Sequence, residues 1–286
     1  MTQRASANGI EIAYDTFGSP RGRPLLLVMG LGSQMIHWDE EFCGVLVDAG
    51  HHVVRFDNRD VGESTHLHDA GTPVFGENMQ APYLLDDMAD DAAGLLDALG
   101  WESAHVVGAS MGGMIAQLLA IRHPHRVRSL TSIMSTPSPE AARPTQAAMA
   151  ALMAPPASDR ETAIQRALAT WEVIGSPGYP LDRERLTRLA GLSYDRSFDP
   201  AGSARQLAAI TASADRAPML KELTVRALVL HGEDDQLVPI SGGIATAEAI
   251  PGAGLVTFPG MGHDLPRPLW PEFVGAIGEL TAAAED

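Results

Sequence analysis

The sequence predicts an α/β fold, a mostly parallel sheet with helices on both faces. Three observations predict it. Strand-like and helix-like stretches alternate through the first third of the chain. Residues 25–29 form an unbroken apolar run, as a strand buried on both faces requires. The segment Gly108-Ala109-Ser110-Met111-Gly112 joins an apolar strand to a helix.

Each element follows from local pattern. Residues 10–14 alternate like a strand, and 25–29 form the next. Residues 40–49 have helical spacing and stop at Gly50; their one cysteine, Cys43, reads as a small buried apolar residue. Residues 52–56 form a strand. Residues 84–99 make an amphipathic helix, with Asp86, Asp87, Asp90 and Asp91 against Leu84, Leu85, Met88, Leu95 and Leu96. Gly100 ends it. A strand at 104–107 leads into a helix at 111–122, which stops before His123-Pro124. Residues 127–134 close this half with another strand.

From 135 to 218 the strand signal vanishes. Helical stretches at 145–153, 160–173, 182–190 and 202–214 are separated by Pro155-Pro156, Ser176-Pro177-Gly178 and Asp199-Pro200. Strands return at 225–230 and 254–258, and a last helix covers 271–283. The expected organisation is a core of 1–134 and 219–286 interrupted by a helical insertion, 135–218.

Composition narrows the function. A chain of 286 residues can bury one large core. The net charge of −16 disfavours nucleic acid and anionic membrane, whose phosphates need clustered Lys and Arg. No apolar run approaches the roughly 18–20 residues that span a bilayer, and residues 1–14 lack the apolar stretch of a signal peptide. A cytoplasmic protein is therefore expected, and a homodimer if it associates at all. One cysteine allows no internal disulfide and no cysteine-based metal centre. His51-His52 and His66-x-His68 hint at metal, but neither pair has a third ligand at suitable spacing, so neither metal nor organic cofactor is expected.

The strand-to-helix junction carries the chemistry. A nucleophile placed on so sharp a turn sits in strained backbone, and side chains two residues to either side would clash; glycine at 108 and 112 removes those clashes. Ser110 is thus the candidate nucleophile, with Gly113 letting the helix approach the sheet. A serine hydroxyl needs a base. Downstream, His123 ends a helix and His231 closes a strand. His263, in Pro259-Gly260-Met261-Gly262-His263, lies in a loop of small residues after the last strand and is the candidate base. The acid is expected after the preceding strand, where His231-Gly232-Glu233-Asp234-Asp235 offers three carboxylates. Asp235 is selected, with Glu233 and Asp234 read as turn-forming. An oxyanion hole needs two amides. Met111, after the nucleophile, supplies one, and Leu31 in Met29-Gly30-Leu31-Gly32 the other, with Gly30 as the fallback.

Four segments together resemble the α/β-hydrolase superfamily: residues 25–30, Asp57-Asn58-Arg59-Asp60-Val61-Gly62-Glu63-Ser64, the segment around Ser110, and the one ending at His263. Within it, the Met29-Gly30 pair and the Arg59-Asp60 turn are similar to the group containing aclacinomycin methylesterase and actinobacterial carboxylesterases. The resemblance implies an eight-stranded, mostly parallel sheet, the insertion as a cap, and Arg59 and Asp60 as organisers of a loop near the oxyanion hole.

The expected reaction is carboxylic-ester hydrolysis through an acyl-enzyme. Alternatives within the fold are polyketide methyl ester, thioester or lactone hydrolysis, C–C bond hydrolysis, and cofactor-free perhydrolysis of the haloperoxidase type. Epoxide hydrolases and dehalogenases use aspartate where Ser110 stands. A binding protein on the same fold would not need Ser110, Asp235 and His263 together. Gly30, His37, Trp38, Met134, Met149, Met153, Trp171, Leu237 and Val238 are the candidate substrate-binding residues. With no Arg or Lys cluster among them, the expected partner is a neutral, fairly hydrophobic small-molecule ester.

Overall fold

A single eight-stranded sheet runs through the protein, in the order β1-β2-β4-β3-β5-β6-β7-β8. The computed structural model describes residues 2–76 and 79–285. The strands are β1 (Gln3–Ala7), β2 (Ile10–Phe17), β3 (Arg23–Val28), β4 (His51–Phe56), β5 (Ala104–Ala109), β6 (Val127–Ile133), β7 (Arg226–Gly232) and β8 (Gly254–Phe258). β1 pairs with β2, and β2 with β4, antiparallel; all other pairs are parallel.

The helices are α1 (Glu40–Asp48), α2 (Leu85–Ala98), α3 (Met111–Arg122), α4 (Gln146–Leu152), α5 (Arg160–Ile174), α6 (Arg183–Arg196), α7 (Pro200–Ala212), α8 (Ala217–Leu220), α9 (Ile240–Ala249) and α10 (Trp270–Ala283). They cover both faces of the sheet, which explains the unbroken apolar strands. Leu25 and Leu27 of β3 pack with α1 and α10, while Leu26 and Val28 pack with α2 and α3. Every residue of α3 from Met111 to Ala120 is buried, because α3 lies between the sheet and α2.

The insertion between β6 and β7 contains α4 to α8. Its helices start where sequence chemistry dictates. Thr145, Asp159 and Asp182 each accept a hydrogen bond from the backbone N–H three residues on. The insertion does not stand free of the core. Ala209 of α7, Leu220 of α8 and the following Leu223 join the same buried cluster as α2 and α3. The expected boundary at 218 therefore falls inside α8, which packs on α3 and α9.

Four elements differ from the sequence reading. β1 was not anticipated; it is short, and four of its five residues are exposed or half-buried. Asn8-Gly9, both at positive φ (48° and 79°), make the two-residue hairpin turn that would have revealed it. α6 runs on to Arg196 instead of ending at Ala190. Gly191 lies inside it, where a Cβ would meet the Arg160 guanidinium of α5, so the glycine marks a close approach of the two helices and not a helix end. α8 and α9 have no counterpart in the sequence reading.

Candidate active site

The parallel strands all end on one edge, and the candidate residues sit there, as ligand sites do in open α/β sheets. β5 ends at Ala109 and the chain turns into α3 through Ser110. Ser110 has φ 56° and ψ −121°, a backbone state that costs a non-glycine residue about 1–3 kcal/mol. Its surroundings hold it there. Ser110 N–H donates to Ile133 O (2.9 Å), and Ser110 O accepts from Gly113 N–H (2.9 Å) and Ser135 Oγ–H (2.8 Å). Cβ atoms on Gly108 and Gly112 would collide with the Gly112 and Val28 carbonyls, so neither glycine can be replaced without moving backbone.

His263 reaches the same point from the loop after β8. Its Nε2 lies 2.9 Å from Ser110 Oγ and its Nδ1 lies 2.6 Å from Asp235 Oδ2. Asp235 is an acceptor, so Nδ1 bears the proton and Nε2 accepts from the serine hydroxyl. The second Asp235 oxygen accepts from Leu237 N–H (2.9 Å) and Val238 N–H (2.8 Å). Asp235 and His263 are only 5% and 6% exposed, which shields this relay from bulk water. Glu233 and Asp234 point elsewhere. Glu233 accepts from Thr257 Oγ1–H (2.7 Å), and Asp234 accepts from Gly260 N–H (2.9 Å). His123 caps α3 and pairs with Asp90; His231 donates to Val238 O (2.8 Å).

Gly30 abuts Ser110: a Cβ on it would lie 3.2 Å from Ser110 Cβ. The next amide, Leu31 N–H, and the first amide of α3, Met111 N–H, have no acceptor among the described residues. The loop bearing Leu31 is fixed from the insertion side. Gly32 N–H donates to Gln206 Oε1 (2.8 Å), and Gln206 Nε2–H donates to Arg59 O (2.7 Å).

The segment 57–64 is the hub of this network. Asp57, fully buried, accepts from Met35 N–H (2.7 Å), Glu63 N–H (2.9 Å) and the Arg196 guanidinium (2.9 Å). Asn58 donates to Met29 O (2.9 Å). Arg59 pairs bidentately with Asp91, both contacts 2.6 Å, and lies over the Tyr83 ring. Asp60 pairs bidentately with Arg205 of α7, at 2.8 and 2.9 Å. Gly62 is obligatory, because a Cβ would enter the Asp57 carboxylate. The segment thus ties β4 to the loop behind Ser110 and to the insertion.

A family model described as alpha/beta hydrolase fold matches residues 23–266. The chain belongs to the α/β-hydrolase family. Rhodomycin D methylesterase from Streptomyces sp. (strain C5) is 29% identical over 99% of both chains. A bifunctional esterase/perhydrolase from Acinetobacter calcoaceticus is 28% identical over 91% of each. The solved structure of an esterase from Rhodococcus sp. superposes with a TM-score of 0.77 at 22% identity, covering 99% of both chains, and attests the fold. The esterases among these α/β hydrolases support carboxylic-ester hydrolysis as the general activity.

Beside the Ser110–His263 pair, this hydrolase has a cavity of about 380 Å³. Met29, Ala109, Met134 and His263 form its floor; Trp171, Leu186 and Leu189 of the insertion face Leu265 and Trp270 of the core. Of the nine candidate binding residues, His37, Met134 and Trp171 line it. The other six do not. Gly30 backs Ser110. Trp38 is fully buried and stacked on Phe42, with a 5.7 Å centroid separation, in the core beneath. Met149 and Met153 face solvent, because α4 turns its small Ala148 inward. Leu237 and Val238 are occupied in holding Asp235. Leu186 and Leu189 escaped notice, although their i, i+3 spacing marks one apolar helix face.

The cavity's charged groups are paired within the protein. Arg185 donates to Asp39 (2.6 Å), and Arg267 pairs with Glu41 over the Trp270 ring. Asp182 caps α6, and Asp264 accepts from Ser176 Oγ–H. Burial pushes the Asp264 carboxyl above the usual carboxylate range, against the lowering effect of Ser176. Burial likewise pushes the Cys43 thiol up to about 12, which leaves it inert.

One metal-type cluster corrects the sequence reading. His66 and His68 do gain a third group, Asp199, with ligand atoms mutually within 4.8 Å. It lies far along the chain, at the start of α7, where local spacing cannot show it. Asp199 Oδ2 is already engaged by His66 Nδ1 (2.8 Å) and Arg205 Nη2 (3.0 Å), so the trio serves as a polar joint between core and insertion. Among the described residues, no helix is long and apolar enough to cross a membrane.

Proposed function

We propose that the protein hydrolyses a neutral, fairly hydrophobic carboxylic ester through an acyl-enzyme on Ser110. The observation that carries this reading is the hydrogen-bonded relay Ser110–His263–Asp235, whose His263 lines a mainly apolar cavity. His263 Nε2 takes the hydroxyl proton as Ser110 Oγ attacks the carbonyl carbon, and the carbonyl electron pair moves to oxygen. The resulting oxyanion accepts from the Leu31 and Met111 amides. Collapse expels the alcohol, which takes the proton from His263, and leaves acyl-Ser110. Water, deprotonated by His263, then releases the acid and restores the hydroxyl. Asp235 keeps the proton on Nδ1 and stabilises the imidazolium. No step calls on a metal or an organic cofactor.

The insertion 135–218 acts as the cap over the cavity. Among the described residues that line the cavity, Arg185 and Arg267 are each paired with a carboxylate, so neither is offered to an anionic substrate. Neutral esters of medium size are therefore hydrolysed faster than short anionic ones. The test combines a fluorophosphonate probe with p-nitrophenyl esters. Ser110 takes the label, and Ser110→Ala loses at least about 10³-fold of activity with an unchanged circular dichroism spectrum. Hydrolysis that survives in Ser110→Ala, or a label on another residue, would contradict the reading. The likeness to an esterase/perhydrolase makes peroxide-dependent halogenation the second activity to assay.

A further inference from the structure

The cavity wall contains a polar group with no role in the relay or in packing. The turn after the Leu31 loop, residues 33–37, contributes Ser33 and His37 to the lining. His37 Nδ1 lies 3.1 Å from the Gln34 carbonyl oxygen. A carbonyl only accepts, so Nδ1 bears the proton and Nε2 is a bare lone pair. Among the described residues Nε2 has no hydrogen-bond partner, yet it is not one of the polar atoms sealed from solvent. It is an open acceptor on a cavity wall. Burial, reinforced by Arg185, pushes the imidazole down to about 4, so the ring is neutral and this lone pair is present throughout the neutral range. The Asp39 and Asp57 carboxylates nearby do not reverse this, because Asp39 is paired with Arg185 and Asp57 with Arg196.

The charged groups of the wall are spoken for, as described above. Arg185, Arg267, Asp182 and Asp264 each have an intramolecular partner. Among the described side chains of the wall, His37 Nε2 and the Ser33 hydroxyl are left for a ligand, and of the two His37 Nε2 is the one that can only accept. On the insertion side the wall is Trp171, Leu186 and Leu189, which offer only apolar contact, apart from the Trp171 indole edge.

From this juxtaposition we infer that His37 is a specificity-determining residue, and that the ester lodged in the cavity bears a hydroxyl which donates to His37 Nε2. The inference rests on the esterase reading and sharpens its substrate class: a neutral ester with an apolar body and one hydroxyl donor, alcoholic or phenolic. A site built to bond a hydroxyl discriminates strongly against the analogue that lacks it, because the buried acceptor is then stripped of water without replacement.

The experiment is a panel of methyl esters of phenyl and naphthyl carboxylic acids. Each ring position carries hydroxyl, methoxy or hydrogen in turn. For at least one position the wild-type enzyme favours hydroxyl over methoxy by at least about tenfold in kcat/KM, mostly through KM. That ratio collapses toward one in His37→Leu. In His37→Gln, whose amide oxygen restores an acceptor, it recovers in part. The inference is overturned if the wild type turns over the esters with no hydroxyl preference at any position, or if the preference survives in His37→Leu. Failure of the esterase reading itself looks different: no ester is turned over and Ser110 takes no fluorophosphonate label.

Discussion

The backbone N–H of His263 donates to the carbonyl of Ile174 across 2.7 Å, so the loop bearing the proposed base hangs from the end of α5. Ser176 reinforces the attachment on both sides of that residue. Its Oγ accepts from Gly262 N–H (2.9 Å) and donates to Asp264 Oδ1.

Ser176→Ala therefore removes a hydroxyl donor from the half-buried Asp264 carboxyl and the acceptor of the buried Gly262 amide while touching no substrate. A loss of about 1–3 kcal/mol of local order is expected. In steady-state kinetics kcat falls about tenfold and KM changes little, and Ser176→Thr recovers part of kcat. Loss of thermal stability with kcat unchanged would show that Ser176 is a structural residue alone.

The assignment of the acid separates cleanly. Asp235→Asn keeps the shape but presents a donor where His263 needs an acceptor, and activity falls by about 10³–10⁴-fold. Glu233→Gln, which loses only a contact to Thr257, stays within about twofold. Parallel kcat/KM measurements on purified variants decide it; the reverse pattern would give the role to Glu233.

Arg205 and Asp60 are 1% and 0% exposed in their side chains and bonded through both carboxylate oxygens. Removing one partner of a buried pair strands the other charge. Arg205→Ala should cost about 3–5 kcal/mol in urea unfolding. Arg205→Met combined with Asp60→Asn should recover much of that loss. A single-variant loss below about 1 kcal/mol would mean that Asp60 finds water or another cation.

Acid should destabilise the protein in a defined window. Burial holds His105 down to about 4, with Ser129 and Glu285 as its hydrogen-bond partners. In the unfolded chain the same group titrates at about 6.5, so between these values the unfolded state binds the extra proton. Stability is complete above about pH 6.5 and declines as pH falls toward 4, by up to about 1.4 kcal/mol per pH unit for each such histidine. Urea midpoints at pH 7.5, 6 and 5 measure the slope, and His105→Gln should flatten it. A midpoint independent of pH across this range would contradict the prediction.

The backbone of the site was legible because its demands are local. Gly108 and Gly112 are there for clashes two residues from Ser110, and a hydrophobic strand before them fixes the context. Asp235 and His263 lie in turns after strands whose apolar runs are visible. The cavity wall was not legible, because it depends on which face each insertion helix turns inward. Met149 and Met153 have the same chemistry as Met134, yet α4 points them at solvent. Trp38 neighbours His37 in sequence, but a half-turn sends it into the core while His37 meets the cavity. Asp199 joined His66 and His68 through a contact that only the folded chain creates.

The hydrogen bonds that Gly32 N–H donates to Gln206, Arg196 to Asp57, and His263 N–H to Ile174 limit how modular this enzyme is. Transplanting residues 135–218 from a relative would import another cavity wall, but it would also sever supports of the loops around Ser110. The tolerant surface for re-engineering is narrower: the inward face of α6, where Leu186 and Leu189 touch the cavity and bear no such supports. An evolutionary lineage diversifying its substrates would be expected to vary there first, and to keep Gln206, Arg205 and Arg196 as long as the loops beneath them are kept.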